Sequence, residues 1–123
     1  MNYKRFLMLY VLVIVLDLTW MTFLGGNFYR GVLGHIMRTE AATFTVVLAA
    51  ILLWGLMALG VEYFVLPQKK PLFAGALFGL MVYGVYELTN YAVLKDWPLS
   101  VVAVDILWGV VLFSILAYVG SKI

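Results

Sequence analysis

Asp17, Glu87 and Asp105 each interrupt an apolar run long enough to cross a membrane. A carboxylate at bilayer depth is costly, so such residues are as a rule buried, partnered and functional. The chemistry open to them is narrow: they can hold a proton or a cation, or act as a general acid and base. Three carboxylates close together in a low dielectric cannot all stay ionised unless a cation joins them. Either at least one carries a proton, or a positive charge neutralises the group. Arg30 and Arg38 could reach in and supply that charge, and so could a bound ion or a ligand amine.

Spacing puts the three at one depth. Lys95-Asp96-Trp97-Pro98 is a tight connection between two apolar runs, which makes them an antiparallel hairpin. Glu87 lies eight residues before Lys95, and Asp105 lies seven after Pro98. Asp17 is eight residues before Gly25 on the same side. At ~1.5 Å per residue all three fall ~10–12 Å below the outer helix ends. Residues three and four apart share a helix face. Asp17 therefore shares its face with Val13, Trp20 and, two turns away, Tyr10; Glu87 with Tyr83, Asn90 and Tyr91; Asp105 with Trp108 and Gly109. The expected result is a small polar chamber walled by aromatics and open toward the outer leaflet. Its candidate ligand- or ion-binding residues are Asp17, Trp20, Arg30, Arg38, Tyr83, Glu87, Asn90, Asp105 and Trp108.

The elements that position these residues are four apolar runs, at about 6–24, 41–66, 72–94 and 99–119. Each approaches the ~20 residues a helix needs to cross the hydrocarbon core. Strands are excluded, because alternation is absent and a four-stranded sheet cannot close in lipid. The 123 residues are 66% hydrophobic and 11% charged, with a mean hydropathy of +1.08. That composition belongs to a polytopic membrane protein with one integral domain over 1–123, an all-α bundle of four transmembrane helices. Lys4 and Arg5 before an apolar run imitate a secretory signal. The run continues past Asp17 to Leu24 with no small-x-small cleavage site, so it reads as the first transmembrane helix.

Lys4, Arg5, Lys69, Lys70 and Lys122 fall on one side of these spans, and Arg30, Arg38 and Lys95 on the other. The five-to-three split places both termini in the cytoplasm. Between the first two spans, Phe28, Val32 and Ile36 repeat every four residues, as do Tyr29, Leu33 and Met37, with Arg30, Gly34 and Arg38 opposite. The pattern predicts a short amphipathic helix over Asn27–Glu40 at the outer surface, which Gly31 and Gly34 weaken. Gly75 and Gly79 would let a neighbouring helix approach the third span closely.

Several chemistries are excluded. Without Cys there is no disulfide, thiol or Cys-ligated site, and a lone His35 makes a His-based metal centre unsupported. No cofactor is expected, and at a net charge of +2 no basic run suggests nucleic acid. Glu62, near the cytoplasmic end of the second span and close to Lys69 and Lys70, reads as a snorkelling or ion-paired interfacial residue. Trp54 reads as a lipid-facing or packing residue.

Several stretches together resemble one known family. They are Asp17-Leu18-Thr19-Trp20; Phe28-Tyr29-Arg30 with Gly34 and Arg38; Ala76-Leu77-Phe78-Gly79 with Tyr83; Tyr86-Glu87-Leu88-Thr89-Asn90-Tyr91-Ala92; Lys95-Asp96-Trp97-Pro98-Leu99; and Asp105-Ile106-Leu107-Trp108-Gly109. The combination spans nearly the whole chain. It resembles the DUF2177 family of small, functionally uncharacterised bacterial membrane proteins. One departure is Glu87, where the family pattern has Asp; the longer side chain shifts the carboxylate without changing its charge. The resemblance implies a four-helix protein of the bacterial inner membrane and points to the same polar residues. It implies no activity.

Three functions stay open. A binding or transport protein would hold a proton, a cation or a cationic amphiphile. With only four helices, a transport pathway would need a homodimer. It predicts a polar opening to the outer face. A membrane enzyme would use paired carboxylates as general acid and base on a lipid, with Arg30 or Arg38 on a phosphate head group. It predicts a lateral opening toward lipid. An accessory subunit of a membrane complex predicts a filled chamber with every acid paired.

Overall fold

The structure is a computed structural model describing residues 1–123. It is all-helical. The first span begins at Asn2, whose side chain accepts the Arg5 backbone N–H at 3.0 Å and so caps the helix. Helix α1 covers Tyr3–Thr19 and runs on through a π-helical turn, Trp20–Leu24, closed by the Gly25 N–H on the Trp20 carbonyl. A short helix, α2 (Gly26–Leu33), follows. Helix α3 (Phe44–Gly60) is capped by Thr43 and also ends in a π turn, Val61–Val65. Pro71 opens α4 (Pro71–Val93), where its missing N–H costs nothing. Helix α5 covers Leu99–Lys122.

Four of these segments are long and apolar enough to cross a membrane: Tyr3–Leu24, Phe44–Val65, Pro71–Val93 and Leu99–Lys122. Their outward faces carry bare apolar side chains, among them Leu52, Leu56, Phe73, Val85 and Leu107. In water such a surface would be untenable; against acyl chains it costs nothing, and every helical backbone group is satisfied within its own segment.

The hairpin of α4 and α5 is the most extensive packing in the bundle. A Cβ at Gly79 would collide with the Gly109 carbonyl, and one at Gly75 with the Phe113 carbonyl. The close approach expected at these glycines is thus made within the chain. The buried core is built by Leu9 and Val13 of α1, by Met57, Ala58, Val61 and Val65 of the second span, and by Leu112, Phe113, Leu116 and Ala117 of α5. The second span meets α4 near its C-terminal end, where Phe78 fills the space over Gly60 and stacks near Phe64.

Three expectations need correction. The second span starts at Phe44 rather than near 41, because Thr43 caps it. The outer helix stops at Leu33 and gives way to turns over Gly34–Met37, because two glycines in one short helix lower its stability. Glu62 is ion-paired, one of its two expected roles, but with Arg5 rather than with the nearby lysines. Arg5 holds it in a two-pronged ion pair, Nε to Oε1 at 2.8 Å and Nη2 to Oε2 at 2.7 Å, with the Glu62 side chain only 2% exposed. The π turn carries Glu62, and the pair ties α1 to the second span at the end of the bundle that holds both termini.

Candidate ligand chamber

Asp17 lies one turn before the π turn of the first span. Both of its oxygens accept indole N–H groups: Oδ2 from Trp54 at 2.9 Å and Oδ1 from Trp108 at 3.2 Å. Trp108 in turn stacks on Trp20, with ring centroids 4.6 Å apart and planes within 5°. The acid and the aromatic three residues beyond it therefore do share a face, and α5 supplies the matching aromatic.

Glu87 and Asp105 meet across the α4–α5 interface, where their carboxyl groups lie within hydrogen-bonding reach. Glu87 is fully buried. Its Oε1 accepts from the Trp97 indole at 2.8 Å, whereas its Oε2 has no donor. Asp105 accepts from the Tyr29 hydroxyl, which itself accepts from the Trp20 indole at 3.1 Å. Burial, reinforced by the bond to Asp105, raises the Tyr29 phenol above the ordinary tyrosine range, so it stays a donor at physiological pH. Tyr29 arrives on α2, which folds across the outer ends of α1 and α5. There Tyr29 and Leu33 pack on Val101, beside Trp20 and Trp97.

Next to this network is a cavity of about 420 Å³, lined by Asp17, Trp20, Met21, Leu53, Met57, Val82, Tyr83, Tyr86, Asp105 and Trp108. Met21, Leu53, Val82 and Tyr86 are exposed on the surface of the bundle. The mouth therefore lies between α3 and α4 and opens sideways, at the depth of the carboxylates. Asp17 and Asp105 are on the wall, and Glu87 stands behind Asp105. The Tyr83 ring lies over Gly109, where a Cβ would strike it. The three acids do not converge closely enough to cage one metal ion. They resolve into Asp17 and the Glu87–Asp105 pair.

Of the nine residues singled out from sequence, the structure brings Asp17, Trp20, Tyr83, Glu87, Asp105 and Trp108 together. Asn90 is half-buried and off the cavity wall. Arg30 and Arg38 are exposed, and Arg30 donates to Asn27 Oδ1 at 2.7 Å. Neither guanidinium pairs with the trio; the ion pair within the chain is Arg5–Glu62. Trp54 is half-buried and packs against the core, one of its two expected roles, and its N–H also reaches Asp17. Sequence reasoning gave Trp54, Trp97 and Tyr29 no place in the chamber, although Tyr29 and Trp97 stand in stretches that carry the family resemblance. A further signal was the indole or phenol donor itself, which needs a partner when buried.

Comparison with known proteins adds the family. No curated protein and no solved structure matches the chain. A family model described as "Predicted membrane protein (DUF2177)" matches residues 2–122. With almost the full length covered and four membrane-length helices in the fold, the chain is a membrane protein that belongs to the DUF2177 family.

Proposed function

We propose that the chamber binds an amphipathic ligand with a cationic head, admitted from the outer half of the bilayer through the mouth between α3 and α4. The observation that carries this reading is the cavity itself. Its volume of about 420 Å³ falls in the range of small-molecule sites, its walls are mostly apolar, and two carboxyl groups face into it. No side-chain cation of the protein neutralises them, since Arg30 and Arg38 are elsewhere. An apolar tail suits the walls, and an ammonium group suits Asp17 and Asp105. A polar opening to the outer face, expected of a carrier of free ions, has no counterpart, because α2 packs across that end. Below the cavity the bundle is filled by its core and by the Arg5–Glu62 pair, so the reading is of binding rather than of a through-going pathway. A filled lock or a purely accessory subunit would leave no cavity.

The sideways mouth also favours a second reading, a membrane enzyme on a lipid substrate. The Glu87–Asp105 pair would give a proton and Asp17 would take one. Incubation of the purified protein with a total lipid extract, followed by mass spectrometry, separates the two: catalysis consumes a lipid species and binding only retains one.

The binding reading is tested by thermal unfolding in detergent with octyltrimethylammonium, octanol and tetramethylammonium. The expected result is a saturable rise in Tm of about 5 °C with octyltrimethylammonium. Octanol and tetramethylammonium, each with half of the recognition chemistry, give little. Asp17→Asn or Asp105→Asn removes most of the gain. Equal responses to all three probes would defeat the proposal.

A further inference from the structure

Glu87 has no part in lining the chamber, yet it is the most completely enclosed carboxyl group in the chain. Its Oε2 is a buried acceptor with no donor. Such an atom is expensive to leave unsatisfied, and in lipid no bulk water repairs it. The titratable group that acts most directly on the Glu87 carboxyl is the carboxyl of Asp105. Two carboxylates offer no hydrogen to each other, but a carboxylic acid and a carboxylate do. The remaining groups around the pair are Tyr29 from α2, Trp97 from the connection and Tyr83 from α4, with Asp17 of α1 near the same Tyr83. None of them is a cation.

We infer that ligand binding is proton-linked: the Glu87–Asp105 pair holds one proton in the ligand-free protein and releases it when a cationic head settles against Asp105. The inference rests on the cationic-ligand reading above. The charges balance. The pair with its shared proton carries one negative charge. When an ammonium group arrives, the carboxyl O–H bond breaks and the proton passes to water at the outer side. Two carboxylates and one ammonium then carry one negative charge again. No bond in the ligand changes and nothing is oxidised. The placement of the two acids supports this division of labour. Asp105 is on the wall, where a head group can reach it, and Glu87 behind it keeps the proton within the pair. The donors that hold the pair, Tyr29 and Trp97, come from α2 and from the 95–98 connection, which lies at the same end of the bundle.

The test uses the full-length protein in dodecyl maltoside, weakly buffered with a pH-indicator dye. Octyltrimethylammonium is the probe because its charge does not titrate. The expected result is about one proton released per probe bound. By linkage, its affinity, measured from pH 5 to 9, tightens as the pH rises, by at most about tenfold per unit. Glu87→Gln fills the same space and supplies an amide N–H to Asp105. It still binds the probe, with an affinity that does not change with pH, and releases no proton. Binding without proton release, or a flat affinity across that range, overturns the inference and leaves the chamber a binding site. Proton release undiminished in Glu87→Gln overturns it as well, by placing the proton elsewhere. Should Glu87→Gln fail to fold, the pH dependence of the wild type decides alone. Absence of any binding overturns both this inference and the reading on which it rests.

Discussion

A tryptophan indole inside a membrane has one N–H and no water to give it to. In this chain all four tryptophans solve that problem at one place. Trp54 and Trp108 donate to Asp17, Trp97 donates to Glu87, and Trp20 donates to the hydroxyl that binds Asp105. The acids are thus held by neutral donors, which fix their positions without cancelling their charge. That is the arrangement expected where the neutralising charge comes from a ligand. Replacing Trp54 by Phe keeps the ring packing and removes one of the two donors on Asp17. The expected loss is about 1–3 kcal/mol, as for hydrogen bonds to a charged group, read by thermal unfolding. Tyr29→Phe strips Asp105 of its hydroxyl donor and should cost a similar amount. An unchanged Tm in both variants would mean that these bonds do not hold the acids. Trp20 and Trp108 were legible in the sequence because each stands three residues beyond its acid on the same helix. Trp54, Trp97 and Tyr29 were not, because they reach the acids from other elements, and spacing along one helix is silent about those.

At the scale of elements, the four spans were legible to within about three residues at each end, since their length and apolarity are dictated by the bilayer. The two π turns were not. Nothing in Trp20–Leu24 or Val61–Val65 distinguishes them from ordinary helix, yet one carries the chamber's Trp20 and the other the buried Glu62. π turns recur at functional sites because the extra residue re-aims a side chain. The hairpin depends on glycine at one point above all. Gly79→Ala must displace the α5 backbone at Gly109 and should cost about 1–3 kcal/mol. Gly31→Ala in α2 meets nothing within 4 Å and should be neutral or stabilising by up to about 1 kcal/mol. A Gly79 variant as stable as Gly31→Ala would show that the helices separate without cost. The Arg5–Glu62 pair follows a different rule. Removing either partner strands the other, at a cost of about 3 kcal/mol, while Arg5→Met with Glu62→Leu should recover most of it. A double variant no better than the singles would point to a role beyond packing.

For the whole molecule, the split of basic residues predicts that the termini lie in the cytoplasm and the 95–98 connection outside. The chain lacks cysteine, so single-cysteine variants test this directly. In intact cells, Asp96→Cys should react with a membrane-impermeant maleimide, and Ser121→Cys should react only after lysis. The reverse pattern would turn the chamber toward the cytoplasmic leaflet. That the acids belong to one cluster could be argued from depth alone. That the cluster borders a sideways-opening cavity could not, because the mouth depends on how far α3 and α4 stand apart, and no single residue encodes that distance.

The binding claim is best tested by the tryptophans themselves, since Trp20 and Trp108 line the cavity and Trp54 stands beside it. The measurement is quenching of their fluorescence by a brominated octyltrimethylammonium in detergent. Binding in the chamber predicts saturable quenching that the unbrominated compound reverses and that Asp17→Asn weakens severalfold. Quenching that rises linearly without saturation, or that brominated octanol matches, would contradict a cationic-ligand chamber.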